Sequence, residues 1–586
     1  MTRAVSSLLF FSLLLSGLSG CEAESPAPAL AVARAQVAFP DEWQFPAEVD
    51  PVLAPDAMVS STDRYATEVG LDILREGGNA VDAAIAIAFA LAVVHPSAGN
   101  IGGGGFMVFR SAEGEVLALD FRERAPAAAQ RDMYLDDSGE LTDASIVGHL
   151  ASGVPGTVRG LWEAHQRLAR LEWTALVQPA IELAEGFTVG SQLSASLREF
   201  QGSLSLFEAT RDAFLPGGSL PAMGTVLRQP ELAATLTRIR DAGPEGFYSG
   251  ETAGLIVAEM ARGGGIITTS DLAEYTAVWR EPVTFRYRGY TVHSMPPSSS
   301  GGATLALMAN LLEPYPLGAM RWHSPESIHL MAEAWKRAYA DRNQVLADPD
   351  FVTVPLTRMI SPEYAAERGG GISRERATPS TEIGPGAALT EGESTTHFSI
   401  VDEEGNAVAL TTTLNSSYGS KVTVAGAGFL LNNEMDDFAS RPGFPNQFGL
   451  VQGEQNAIEP GKRMLSAMTP TIVETADGAL FLVAGTPGGS TIITTVFQVL
   501  SNVVDFGMNV AQAVNAPRVH HQHLPDRIEF EADGLDPAIV AALGALGHTL
   551  EERSGISGDV QAILVLPDGT ISAYSDPRRG GTAAGY

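Results

Sequence analysis

TTHFSIVDEEGNAVALTTTLNSSYG, residues 395–419, holds two β-rich runs joined by a turn. Thr395 to Val401 and Ala407 to Thr413 are rich in β-branched residues, and Asp402-Glu403-Glu404-Gly405-Asn406 has the turn chemistry of a hairpin. Immediately upstream the chain changes character. Residues 362–394, with Gly369-Gly370-Gly371 and the polar run Glu391-Gly392-Glu393-Ser394, read as an exposed flexible segment that stops where the strand starts. A break between Ser394 and Thr395 would leave a threonine at a new chain terminus. Such a residue carries its own general base, because an α-amine titrates at about 7.7–8.0 and can accept the hydroxyl proton at neutral pH. Before the break, the same hydroxyl can attack the Ser394 carbonyl and release the upstream chain.

Working outward, a second hairpin is predicted from Pro470 to Gly485, turning at Asp477-Gly478. After Gly488-Gly489, Ser490 is placed to cap a long apolar helix through Val504. Towards the N-terminus, Ser61-Thr62-Asp63 offers cap oxygens to a helix carrying Ala66, Val69, Ile73 and Leu74, ended by Gly77-Gly78. Ala80 to Val94 is apolar all round except Asp82, which marks a buried helix too short to span a membrane. Gly102 to Gly105 then lead into a short strand, Phe106 to Phe109. A dinucleotide loop needs the order strand, glycines, helix; the inverted order reads as backbone passing close to backbone. Residues 150–340 alternate amphipathic helical stretches with Gly/Pro breaks, show no repeat and carry little readable chemistry. Strands alternating with buried helices predict an α/β fold of stacked sheets covered by helices.

Composition bounds the function. The chain has 586 residues, 69 Asp+Glu against 37 Lys+Arg, a formal charge of −32 and one cysteine. That length builds a sizeable core without covalent staples. The acidity excludes a basic nucleic-acid face, and a single cysteine excludes an internal disulfide, a thiolate zinc site and an iron–sulfur cluster. The first residues, MTRAVSSLLFFSLLLSGLSG, place Arg3 before an apolar run from Leu8 to Leu15, the layout of an export signal. The cysteine follows in Leu18-Ser19-Gly20-Cys21, which resembles the lipobox of bacterial lipoproteins. That resemblance implies lipidation of Cys21 after removal of residues 1–20, and Glu22 in the next position implies the outer membrane of a Gram-negative bacterium. Residues 21–54, rich in Ala, Pro and Glu at their start, read as a tether.

The hairpin stretch, together with LLNNEMDDF at 430–438, GKRMLSAMTPTIV at 461–473, GTPGGS at 485–490 and NAPRVHHQ at 515–522, resembles the γ-glutamyltranspeptidases, or glutathione hydrolases. GNIGGGGFMV at 99–108 and LDFRERAP at 119–126 match as well, so the likeness runs in order from about residue 55 to the end. It implies an N-terminal nucleophile hydrolase: an αββα sandwich, self-cleaved into a large subunit, 55–394, and a small one, 395–586, that stay together as a two-chain unit. It further implies Thr395 as the nucleophile for cleavage and turnover, Thr413 as its hydrogen-bond partner, and Gly488 and Gly489 as the oxyanion hole. Paired glycine amides at a helix start suit that role on general grounds. For the glutamyl end the resemblance implies Arg122 as the carboxylate clamp, with Ser466 beside it, and Asn415, Glu434 and Asp437 as acceptors for the ammonium. Arg441 to Asn456 resembles a lid loop with Phe448 as its aromatic gate. No metal or other cofactor is implied; glutathione and amino-acid or peptide acceptors are the implied partners.

One position departs from the pattern. Where a second serine is expected after Ser466, this chain has Ala467, and a missing hydroxyl on a charged group is worth roughly 1.5–3 kcal/mol. Glutaryl and cephalosporin-type side-chain amides are therefore the alternative substrates within the same fold, and an uncleaved, amino-acid-binding lipoprotein is the alternative outside catalysis. Arg463 is near in sequence, and whether it compensates for the missing hydroxyl depends on the direction of its side chain. Arg124 competes with Arg122 for the clamp. His397, two residues from Thr395, reads as structural because the α-amine already supplies a base. The run His520-His521-Gln522-His523 reads as structural because adjacent strand residues point to opposite faces.

Overall fold

The computed structural model describes residues 37–384, 395–444, 446–447, 450–553, 555 and 557–586. The export signal, Cys21, the start of the tether, Ser394 and Phe448 lie outside the described residues.

The two predicted hairpins are the hearts of two seven-stranded sheets. In one, Thr395–Val401 pairs with Ala407–Thr413 over its whole length, from Thr395 opposite Thr413 to Val401 opposite Ala407. The turn closes because Gly405 adopts φ 88° and the Asp402 carboxylate accepts the amides of Glu404 and Asn406. The order across this sheet is Thr582–Gly585, Met58–Ser61, Thr395–Val401, Ala407–Thr413, Gly104–Arg110, Val116–Phe121, Val278–Arg280. The other runs Val52–Ala54, Ile571–Ser575, Gln561–Val565, Leu480–Gly485, Thr471–Glu474, Tyr290–Ser294, Val283–Tyr287. Both sheets mix strands from either side of the 394/395 junction, so neither half can build one alone.

Strand periodicity sorts the layers. Phe398, Ile400, Val408 and Leu410 pack outward with the wholly buried helix Ala80–Val94, while Val401, Ala407 and Ala409 join a second core containing Ile472, Val483 and Ile563 of the facing sheet. Helices Gly301–Leu312, Pro325–Val345 and Thr491–Val504 cover that second sheet. The result is the four-layer αββα sandwich. Asp82, the one polar residue of the buried helix, accepts the amides of Asn79, Arg170 and Leu171, so its charge is fully hydrogen-bonded.

The glycine run behaves as the inverted order predicts. A Cβ on Gly103 would lie 2.0 Å from the Thr413 carbonyl oxygen, and one on Gly105 2.4 Å from that of Thr411. Only glycine lets this strand approach the hairpin.

Two expectations are corrected. Residues 37–54 are packed on the body rather than free: the Trp43 indole donates to the Asn515 carbonyl at 2.9 Å, Arg578 stacks over Trp43 and Phe45, and Val52–Ala54 joins a sheet edge. Ser490 does occupy the N-cap of Thr491–Val504, but its hydroxyl makes no cap bond; it donates to Gln522 instead.

Candidate active site

Thr395 is the first residue of its strand and faces the second sheet, on the same side as His397 and Ser399. It is nearly buried, and its hydroxyl donates to the Thr413 hydroxyl at 3.3 Å. Thr413 Oγ1 also accepts the Asn415 amide at 2.7 Å, which helps hold Asn415 at a left-handed φ of 74°. The Asn415 side chain donates to the Asn433 carbonyl at 3.0 Å, tying this loop to the segment that carries Glu434 and Asp437.

Thr395, Thr413, Asn415, Glu434 and Asp437 line a narrow cleft together with Arg122, Arg342, Ser466, Ala467 and Gly489. Leu450, Leu465, Met468 and Ile492 form its apolar walls. The cleft thus gathers the predicted nucleophile, its partner, one predicted oxyanion glycine and every predicted glutamyl-binding residue. Gly488 is not among the lining residues; it precedes Gly489 at the start of helix Thr491–Val504. Both glycines have positive φ, 136° and 55°, a backbone that a side chain would strain.

Arg122 is buried and its fork is occupied by the protein's own carboxylates. Nη1 lies 2.6 Å from Glu434 and 3.6 Å from Glu123, Nη2 is paired with Asp437, and Nε donates to the Met464 carbonyl at 3.3 Å. Three carboxylates thus share one guanidinium. Burial pushes Glu123 up to about 8 and raises Glu434 and Asp437 above their ordinary range, against the opposing pull of Arg122. The cluster therefore holds protons at neutral pH, and an added cation beside it would favour the ionised carboxylates in their place.

Arg342 is a cleft-lining residue that sequence reading missed. It lies in the 21-residue helix Pro325–Val345, fully buried, and lines the same cleft. Ser300 was missed too: its hydroxyl donates to the Ser466 carbonyl at 2.6 Å and accepts Arg342 Nε at 2.9 Å. Arg463, by contrast, turns away from the cleft to the Thr276 carbonyl, 2.7 Å, and to Asp120, so it does not replace the hydroxyl missing at Ala467. Arg124 also faces elsewhere, donating to the Gly461 carbonyl. Asp436 accepts Ser145 Oγ and the Gln447 amide, anchoring the predicted lid loop rather than lining the cleft.

His397 is fully buried, bonded to Thr411 Oγ1 and Ser399 Oγ, and burial lowers it to about 3, so it is neutral. Its ring packs on Gly485, where a Cβ would come within 2.4 Å. His520, His521 and His523 diverge to Thr494, Asp526 and the Ser380 carbonyl. A larger groove, about 1510 Å³ and lined by Phe207, Arg228 and Glu259, shares no residue with the Thr395 cleft; Glu259 is already paired with His149 and Arg262. The chemistry converges in the smaller space.

Comparison with known proteins agrees with this geometry. The family described as Gamma-glutamyltranspeptidase matches residues 66–586. The glutathione hydrolase proenzyme of Escherichia coli K12 is 48% identical over 532 residues, covering 90% of this chain and 91% of its own. That of Pseudomonas aeruginosa is 48% identical over 527 residues, covering 89% and 93%. Among solved structures, a cephalosporin acylase from Bacillus halodurans superimposes with a TM-score of 0.81 at 28% identity, covering 93% of this chain and 99% of that one. With a match across nearly all of both sheets and a threonine-headed hairpin at their centre, the chain belongs to the gamma-glutamyltranspeptidase family.

Proposed function

We propose that the protein is an exported glutathione hydrolase that transfers γ-glutamyl groups to water or to amino-acid and peptide acceptors through a Thr395 acyl-enzyme. One observation carries this reading: a strand-initial threonine shares a cleft with two guanidiniums and two carboxylates. A γ-glutamyl group ends in an α-carboxylate and an α-ammonium, and this charge set is complementary to both. A glutaryl group has no ammonium and would leave the Glu434–Asp437 pair without the extra cation its environment favours. Among curated relatives, the 48% identity to named glutathione hydrolases, against 36% to proteins named acylase, supports the same choice.

The chemistry follows from the residues. In the precursor, Thr395 Oγ attacks the Ser394 carbonyl carbon and the peptide nitrogen leaves as the Thr395 α-amine; water then cleaves the ester and frees a large subunit ending at Ser394. In the mature enzyme that α-amine takes the Oγ proton as Oγ attacks the γ-carbonyl. The Gly488 and Gly489 amides are assigned to the oxyanion, where one donor is worth about 2.7–4 kcal/mol of barrier. The departing amine takes the proton, and water or an acceptor amine then attacks the ester. The interleaved sheets keep the subunits 55–394 and 395–586 associated after cleavage.

Export is supported by the leader layout, and a lipid anchor at Cys21 by the lipobox resemblance. Among the described residues no helix is long and apolar enough to cross a membrane.

Denaturing electrophoresis with N-terminal sequencing tests the proposal. Two bands are expected, the smaller beginning Thr-Thr-His, and Thr395→Ala is expected to stay uncut and inactive. Wild-type protein that remains a single chain after incubation refutes it. Faster release from glutaryl than from γ-glutamyl anilide would transfer the assignment to a glutaryl-type acylase.

A further inference from the structure

Arg122 already pairs each Nη with a carboxylate, Glu434 and Asp437, whereas the cleft's other guanidinium has a whole nitrogen without a partner. Arg342 is held by two bonds, Nε to Ser300 Oγ at 2.9 Å and Nη1 to Asn343 Oδ1 at 2.9 Å, while Nη2 is buried with no hydrogen-bond partner in the protein. A buried guanidinium nitrogen left unpaired is expensive, and such groups are otherwise satisfied. Desolvation lowers Arg342 to about 10, against the pull of the Asp437 carboxylate, so it stays charged at neutral pH; Asp437 is already paired with Arg122 and makes no hydrogen bond to Nη2.

Its support places it by the acyl pocket. Ser300 receives Arg342 Nε and, through both its amide and its hydroxyl, donates to the Ser466 carbonyl at 2.8 and 2.6 Å. Ser466 and Ala467 line the cleft with Arg342, and Ala467 brings no hydroxyl to it. We infer that Arg342 Nη2 is a carboxylate-binding donor of the acyl pocket, acting with Ser466 on the terminal carboxylate of the substrate's acyl group. Ser300 is then a positioning residue, fixing the guanidinium through Nε. The assignment rests on the acyl-transfer reading above, yet it does not depend on which acyl group is preferred, because γ-glutamyl and glutaryl groups both end in a carboxylate.

The experiment compares kcat/KM for acyl p-nitroanilides with and without that carboxylate, γ-glutamyl against 4-aminobutyryl and glutaryl against butyryl, in wild type, Arg342→Gln and Arg342→Lys. In Arg342→Gln the carboxylate preference is expected to fall roughly 10- to 100-fold, mainly through KM, the size expected for a lost hydrogen bond to a charged group. Arg342→Lys should restore part of it. A preference unchanged in Arg342→Gln, with both substrates losing equally, overturns the inference. Should Arg342→Gln fail to fold, a crystal structure of wild-type enzyme with L-glutamate decides: a carboxylate oxygen on Nη2 supports it, and a carboxylate out of its hydrogen-bond reach refutes it. A wild type that prefers glutaryl anilide would count against the γ-glutamyl assignment alone, since the carboxylate preference is read equally well from the glutaryl pair.

Discussion

Replacing Thr413 by valine removes one oxygen and keeps the shape; beyond the hydroxyl's hydrogen bond to Glu434, two contacts set the consequences. The first is the 2.7 Å bond from the Asn415 amide, whose loss leaves a buried N–H unpaired at a cost of about 1–3 kcal/mol. Asn415 sits at φ 74°, in the left-handed region that asparagine tolerates, and losing this bond loosens the loop leading towards Asn433. The second is the 3.3 Å contact with Thr395 Oγ1, long for a hydroxyl pair and worth about 0.5–1.5 kcal/mol in orienting the nucleophile. If the lost orientation and part of the loop term reach the transition state, they amount to about 1.4–2.8 kcal/mol, a 10- to 100-fold fall in both self-cleavage rate and kcat/KM. Cleavage is followed on denaturing gels from freshly purified precursor, and turnover by release of p-nitroaniline from the γ-glutamyl anilide. Thr413→Ser keeps the hydroxyl and should remain close to wild type. The reasoning is refuted if Thr413→Val cleaves and turns over within about twofold of wild type, or if serine is as impaired as valine, since the hydroxyl alone would then not account for the effect.

Restoring a hydroxyl with Ala467→Ser places a donor in the cleft beside Ser466 and should lower KM for γ-glutamyl anilide by roughly tenfold, from a hydrogen bond of about 1.5 kcal/mol; an unchanged or higher KM would show that the carboxylate does not reach this position. Buried His323, His397, His520 and His521 are held neutral, lowered from 6.5 to about 3 or 4 by burial. Their folded pKa values lie below the unfolded one, so the stability they confer is complete above about pH 6.5 and is lost as pH falls towards 3. Each contributes a slope of about 1.4 kcal/mol per pH unit in that window. His323→Asn, at a left-handed position that asparagine tolerates, should flatten the fall of Tm with acid relative to wild type; parallel curves would mean that His323 does not titrate on unfolding.

What was legible in the sequence was local or periodic. The hairpin at 395–413, the buried helix Ala80–Val94 and the close approach of Gly102–Gly105 each follow from turn chemistry, hydrophobic pattern or the lack of a side chain, and each is present in the structure. The site residues of the motif segments were legible through resemblance, and the structure brings all but Gly488 to the cleft wall. What escaped was set by contacts distant in the chain. Arg342 sits in a long helix with charged neighbours, where an arginine ordinarily reads as a solvated face; its burial depends on Ser300, 42 positions away, and through it on Ser466. Trp43 reads as part of a tether until Asn515 and Arg578 receive it. Ser490 reads as a cap until Gln522 takes its proton. These failures share a cause: a polar side chain chooses between a local and a distant partner, and the sequence displays only the local one. Ser300 belongs to a stretch that offered no chemistry when read alone, yet it joins Arg342 to the Ser466 segment. In this fold the cleft is therefore assembled across the 394/395 junction, with Arg122 and Arg342 before it, supported by Ser300, and Thr395, Glu434, Asp437 and Ser466 after it. A proenzyme built this way aligns its nucleophile only once both halves have folded together, which ties self-cleavage to the completeness of the site it creates.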